Sequence, residues 1–87
     1  MNNREIFDCV DKFVKDKFCG KFKVRVFNIY DNFTILDNTE MTIEKVSPDG
    51  INEIVYHTNF LNVGKEIEQV GVEKYLNNLE NFLNKKI

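Results

Sequence analysis

The chain has 87 residues, 43% of them hydrophobic and 30% charged. That composition excludes a disordered polyelectrolyte, and the length sets a limit of one core, hence one domain over residues 1–87. A net charge of −2 argues against a general nucleic-acid binder, and no stretch approaches the ~20 consecutive apolar residues of a membrane span.

Residues Asn3 to Cys19 carry Ile6, Phe7, Val10, Phe13, Val14 and Phe18 at three- and four-residue spacing, which predicts an amphipathic helix. Asn2 with Glu5 three residues later is a capping box, and Gly20 supplies a left-handed stop. Asp8 with Lys12 and Asp11 with Lys15 are favourably oriented i,i+4 pairs, so the opposite face is solvated. On such a helix Cys9 and Cys19 lie ~15 Å apart, beyond the ~7 Å reach of a disulfide, and both are expected as thiols. The start Met-Asn-Asn-Arg-Glu has no apolar run behind it, so a cytoplasmic protein is expected.

From Lys21 the period changes to two. Phe22, Val24 and Val26 alternate with Lys23 and Arg25 and run on toward Tyr30, which predicts a strand with a bulge near Phe27-Asn28. Asp31-Asn32 then reads as a hairpin turn and Phe33 to Leu36 as the return strand. Met41 to Val46 resumes the strand pattern, and Ser47-Pro48-Asp49-Gly50 is a strong turn signal leading into a strand from Ile51 to His57. Pairing Val46 with Ile51 places Met41, Ile43, Ile54 and Tyr56 on one face. Thr42, Glu44, Val46, Ile51, Glu53 and Val55 then share the other.

After a polar connection over Thr58 to Asn62 the pattern is helical to Lys85, with Gly71 inside it. A glycine there costs ~1 kcal/mol relative to alanine, which points to a break between Val63–Val70 and Val72–Lys85. The predicted fold is therefore a small two-layer α+β domain: a helix, an antiparallel meander of three or four strands, and one long or broken C-terminal helix, with the helices on one sheet face.

Chemistry-bearing residues are few. His57 could serve as a base with Cys19 or Ser47 as nucleophile, but no spacing supports the pairing and no third group orients the base. One histidine and two separated thiols do not make a zinc site, and Asp31, Asp37 and Glu40 lack the calcium-loop glycine and read as turn residues. Gly64-Lys65 fails as a phosphate loop, because residue 59 is asparagine and Glu66 stands where Ser or Thr is needed. Glu44 and Glu53 would face each other across the hairpin, where an outward pair repels weakly in solvent rather than doing acid–base work. No cofactor or metal is expected, and the chain reads as a non-enzyme.

The charge distribution is more telling than its total. Residues 1–30 carry +3, residues 31–56 carry −5, and residues 57–87 are neutral. An acidic sheet centre suits a basic partner surface and would speed association. Glu40, Glu44, Asp49 and Glu53, with Val46, Ile51 and Val55 as an apolar patch, are the candidate partner-binding residues.

The leading expectation is a protein-binding module that occupies a surface of a larger protein target. In size, acidity and lack of motifs the chain resembles small phage-encoded inhibitors such as anti-CRISPR proteins, a likeness of organisation that no residue motif carries. One alternative is a homodimeric structural or regulatory subunit joined through Val46, Ile51 and Val55 or through the last helix. Another is weak nucleic-acid binding by the basic stripe Lys21, Lys23 and Arg25.

Overall fold

A computed structural model describes residues 1–27 and 34–87. Within them the order is α1 (Asn3–Phe18), β1 (Phe22–Val26), β2 (Glu40–Lys45), β3 (Glu53–Asn59), α2 (Phe60–Val70) and α3 (Val72–Asn84), with the strands in an antiparallel sheet ordered β1-β2-β3. The α+β class and the meander are as expected. The described residues hold three strands.

Both ends of α1 follow from local chemistry. Asn2 accepts from the Glu5 N–H and Glu5 reaches back to the Asn2 N–H, at 2.8 and 3.0 Å, so the capping box forms. At the far end Gly20 takes φ 86 as the left-handed stop expected, and the left-handed turn begins one residue earlier at the C-cap Cys19, with φ 50 and ψ 45. Its N–H bonds the Lys15 carbonyl at 3.1 Å, and both cysteines are free thiols. On the solvated face Asp11 pairs with Lys15 as expected, whereas Asp8 pairs with Arg4, one turn earlier.

β1 pairs along its whole length with β2, setting Val24 beside Ile43 and Val26 beside Met41. The expected return strand is corrected: Thr34 to Leu36 are not a strand, while the Asp31-Asn32 turn, Phe33 and Asn28 lie outside the described residues. Side chains satisfy this segment's backbone instead of a ladder. Asn3 donates to the Ile35 carbonyl and Asp37 Oδ1, both at 2.9 Å, and the Leu36 N–H bonds Thr39 Oγ1 at 3.1 Å. Ile35 itself is buried, and Asp37 is the turn residue anticipated.

The β2–β3 register departs from the one expected. Ile43 stands opposite Tyr56 but Glu44 opposite Ile54, so Val55 is an extra residue that bulges β3. A one-residue insertion reverses the facing of everything beyond it. Tyr56 stays with Met41 and Ile43 as expected, but Ile54 turns out to the face of Glu44, and Val55 packs against the core. The polar connection after β3 is also corrected. Asn59 ends the strand in extended conformation and caps α2, accepting from the Asn62 N–H at 2.8 Å, so strand passes to helix with no loop between.

The helix break falls at Gly71, with φ 88 and ψ 158. This region is essentially restricted to glycine. A Cβ there would meet nothing within 4 Å, so the requirement is conformational and not steric crowding. One cluster of buried residues unites Ile6, Val10, Val14 and Phe18 of α1, Phe22, Met41 and Ile43 of the sheet, Phe60 and Val63 of α2, and Tyr75, Leu79 and Leu83 of α3. Each such side chain removed from water stabilises by roughly 1.5–3 kcal/mol. Phe18 and Phe22 meet edge to face at 5.0 Å, whereas Phe27 and Phe82 stay exposed.

Candidate functional site

The seven candidate residues divide into three environments. Glu40 and Glu44 lie in the middle of the sheet with Thr42 between them, on the side opposite Met41 and Ile43. Arg25 Nε contacts Glu44 Oε2 at 2.5 Å, and His57 Nε2 lies 3.3 Å from Glu40 Oε1. The Glu44 side chain is only 11% exposed. Thr42 is more deeply covered, flanked in register by Arg25 and His57, and its Oγ1 has no hydrogen-bond partner among the described residues. These acids therefore face cationic or protonatable neighbours from the adjacent strands. Val55 belongs to neither surface patch, being half-buried against the core.

The other four come together at the tip of the β2–β3 hairpin. Ile51 is 76% exposed and Val46 42%, and the outward turn of Ile54, at 57%, adds a third large aliphatic. Val46, Ile51 and Glu53 line one shallow cleft of about 350 Å³ with Lys45, Ser47 and Pro48. Asp49 and Glu53 are exposed and make no ion pair among the described residues. Glu53 stands opposite Lys45 and not opposite Glu44, so the two-carboxylate pair across the hairpin does not form.

The tip is held in place by its own turn. The Gly50 N–H donates to the Ser47 carbonyl at 3.0 Å, the Ile51 N–H to Asp49 Oδ1 at 2.9 Å, and the Ser47 N–H to Asn52 Oδ1 at 3.2 Å. Gly50 takes φ 84, as the turn requires. The Ser47 side chain, and after it the Ile51 N–H, hydrogen-bond the Asp49 carboxylate and hold it below the usual carboxylate range.

The nucleophiles considered with His57 sit elsewhere. His57 pairs with Thr42, whereas Ser47 lies five residues further along the chain, roughly 17 Å away at strand rise. Cys19 is exposed at the end of α1. Gly64 and Lys65 lie within α2, with no phosphate-type loop around them. Among the described residues no group of three His, Cys, Asp or Glu side chains could hold a metal ion, and no helix is long and apolar enough to cross a membrane.

Sequence periodicity missed Ile54. The bulge that turns it outward depends on which residue β2 places opposite Ile43, a tertiary choice with no local signal. Comparison of the chain with protein-family models, curated proteins and solved structures finds no match.

Proposed function

We propose that the chain is a non-enzymatic protein-binding module whose hairpin tip docks on a larger target and blocks the surface it covers. The observation that carries this reading is the exposure of Val46 and Ile51 on either side of one turn and of Ile54 at the start of the strand that follows, beside Asp49 and Glu53. Isolated exposed aliphatics need no explanation, but three on nine consecutive residues form a patch with an acidic rim. Such an arrangement fits an apolar depression edged by basic groups. The turn's three internal hydrogen bonds pre-organise the patch, which lowers the ordering cost of association.

The same observation narrows the contact. Glu44, tied to Arg25, and Val55, packed on the core, contribute to holding the hairpin rather than to its contact surface. Arg25's engagement with Glu44 also removes one cation from the basic stripe of Lys21, Lys23 and Arg25, which weakens the nucleic-acid alternative.

The test is capture of partners from host lysate, treated with nuclease, by immobilised wild-type chain and by the Ile51→Asp and Glu53→Lys variants. The expected result is a stoichiometric protein retained by wild type and lost with Ile51→Asp, with weaker and more salt-sensitive retention by Glu53→Lys. Undiminished retention by both variants, with their circular dichroism unchanged, would remove the tip from the contact. Concentration-dependent self-association abolished by Ile51→Asp would replace the foreign target by a second copy of the chain.

A further inference from the structure

A second cleft, of about 430 Å³, opens on the other side of the molecule's chemistry, where β3, the end of α2 and α3 meet. Three aromatic residues line it. Tyr75 forms part of the floor, 2% exposed, with its hydroxyl 3.3 Å from that of Tyr56. The Tyr56 ring meets Phe82 edge to face, with centroids 5.6 Å apart. Glu66, Gln69 and Asn78 supply the polar part of the lining.

We propose that this cleft is an aromatic cage for a positively charged side chain of lysine type, presented by a partner polypeptide. Aromatic ring faces carry negative quadrupole charge and attract ammonium groups, most strongly where water is partly excluded. Phe82 already does so within the chain, since Lys86 Nζ lies 5.2 Å from its centroid, and Lys86 is not among the residues lining the cleft. Among the described residues Glu66 makes no ion pair, leaving a carboxylate at the cleft with no cation of its own. Its charge is felt at the floor. Burial first, then the Tyr56 hydroxyl, and then Glu66 raise the Tyr75 phenol well above its ordinary value, so of the two hydroxyls that of Tyr75 stays neutral and adds no negative charge of its own. Their lone pairs, with the Glu66 carboxylate, can accept from an ammonium N–H. A neutral aliphatic guest would leave these acceptors unused.

The choice of a polypeptide as the carrier rests on the protein-binding reading above, and the exposed Val70 beside the cleft extends an apolar surface past what a small cation would cover. The cage itself does not depend on the hairpin tip.

The experiment is a titration followed by amide and aromatic resonances of Tyr56, Tyr75 and Phe82. It uses three probes: N-acetyl-lysine methylamide, its uncharged norleucine counterpart, and choline. The lysyl probe should shift these resonances and bind at least about threefold tighter than the norleucine probe. Glu66→Gln, an exposed helix position, should lower lysyl affinity about three- to fivefold while leaving norleucine binding unchanged. Phe82→Leu keeps an apolar wall without a ring and should remove the preference for charge. Equal shifts by both amino-acid probes, or lysyl binding indifferent to Glu66→Gln, would overturn the cage. Choline binding tighter than the lysyl probe would overturn the polypeptide carrier and assign a free ammonium ligand. If Phe82→Leu fails to fold, Glu66→Gln with the norleucine control still decides. None of these probes needs the hairpin, so a failed capture with Ile51→Asp and a failed titration are separate results.

Discussion

The middle and the tip of the β2–β3 hairpin are built from the same two chain segments, yet they meet solvent in opposite ways. In the middle, Met41 and Ile43 are fully buried on one side, and on the other Glu40 and Glu44 lie beside His57 and Arg25. At the tip, Val46, Ile51 and Ile54 are exposed and Asp49 and Glu53 have no ion-pair partner among the described residues. A run of acidic residues in a sequence therefore does not equal acidity on offer. Glu44, mostly buried against Arg25, serves the sheet, whereas Asp49 in the turn and Glu53 at the last register pair are exposed and remain for a partner.

The sharpest way to break this contrast is to make the same kind of truncation at both ends of it. Ile43→Ala should destabilise by about 2–5 kcal/mol, because it removes buried methylenes and leaves a cavity between the sheet and the helices. Ile51→Ala should change stability by no more than about 0.5 kcal/mol, since the side chain is largely in water already. Urea unfolding followed by circular dichroism measures both, and comparable losses would mean that the tip is structural. Next in size is Arg25→Met, which leaves the mostly buried Glu44 carboxylate without its cation. A loss of about 1–2 kcal/mol is expected, between the values for exposed and buried pairs, and Glu44→Gln added to it should restore part of that loss.

Most of this architecture was legible in the residues. The capping box of Asn2 and Glu5, the period-two run from Phe22 to Val26, the Ser47–Gly50 turn and the break at Gly71 each depend on local chemistry, and all four are found. Departures occur where a tertiary partner decides. Thr34–Leu36 has strand-forming residues, but Asn3 and Thr39 bind its backbone, and both come from outside the segment. Asn59 resembles a loop residue until its side chain is seen capping α2. At the candidate site the turn, with Val46, Ile51, Asp49 and Glu53, was readable. The bulge at Val55 was not, and it alone exchanged the roles of Ile54 and Val55.

A smaller effect of opposite sign is expected at the centre of the sheet. Thr42 is 3% exposed and its Oγ1 has no partner among the described residues, so the hydroxyl was stripped of water with no hydrogen bond from them in return. Thr42→Val has nearly the same shape without the polar atom and should stabilise by about 1 kcal/mol, read as a higher urea midpoint at unchanged slope. A destabilised variant would show that the hydroxyl does find a partner in solution, and the middle of the hairpin would then be less dry than its burial implies.

The smallest effect belongs to the tip and concerns charge rather than stability. Asp49 has its carboxyl held low by the Ser47 side chain and the Ile51 N–H. A group depressed in the folded state contributes its stabilisation above the unfolded pKa and loses it as pH falls through the folded one, so the turn should loosen only below the ordinary aspartate range. Following the Asp49 carboxyl carbon and the Ile51 amide by NMR should show both titrating together at that lower pH, with Ser47→Ala moving the midpoint up toward the ordinary value. Independent titrations would break the link between the turn and its charge. Coincident ones would mean that the geometry presenting Ile51 also keeps its acidic neighbour ionised, so that apolar contact and charge reach a basic partner together.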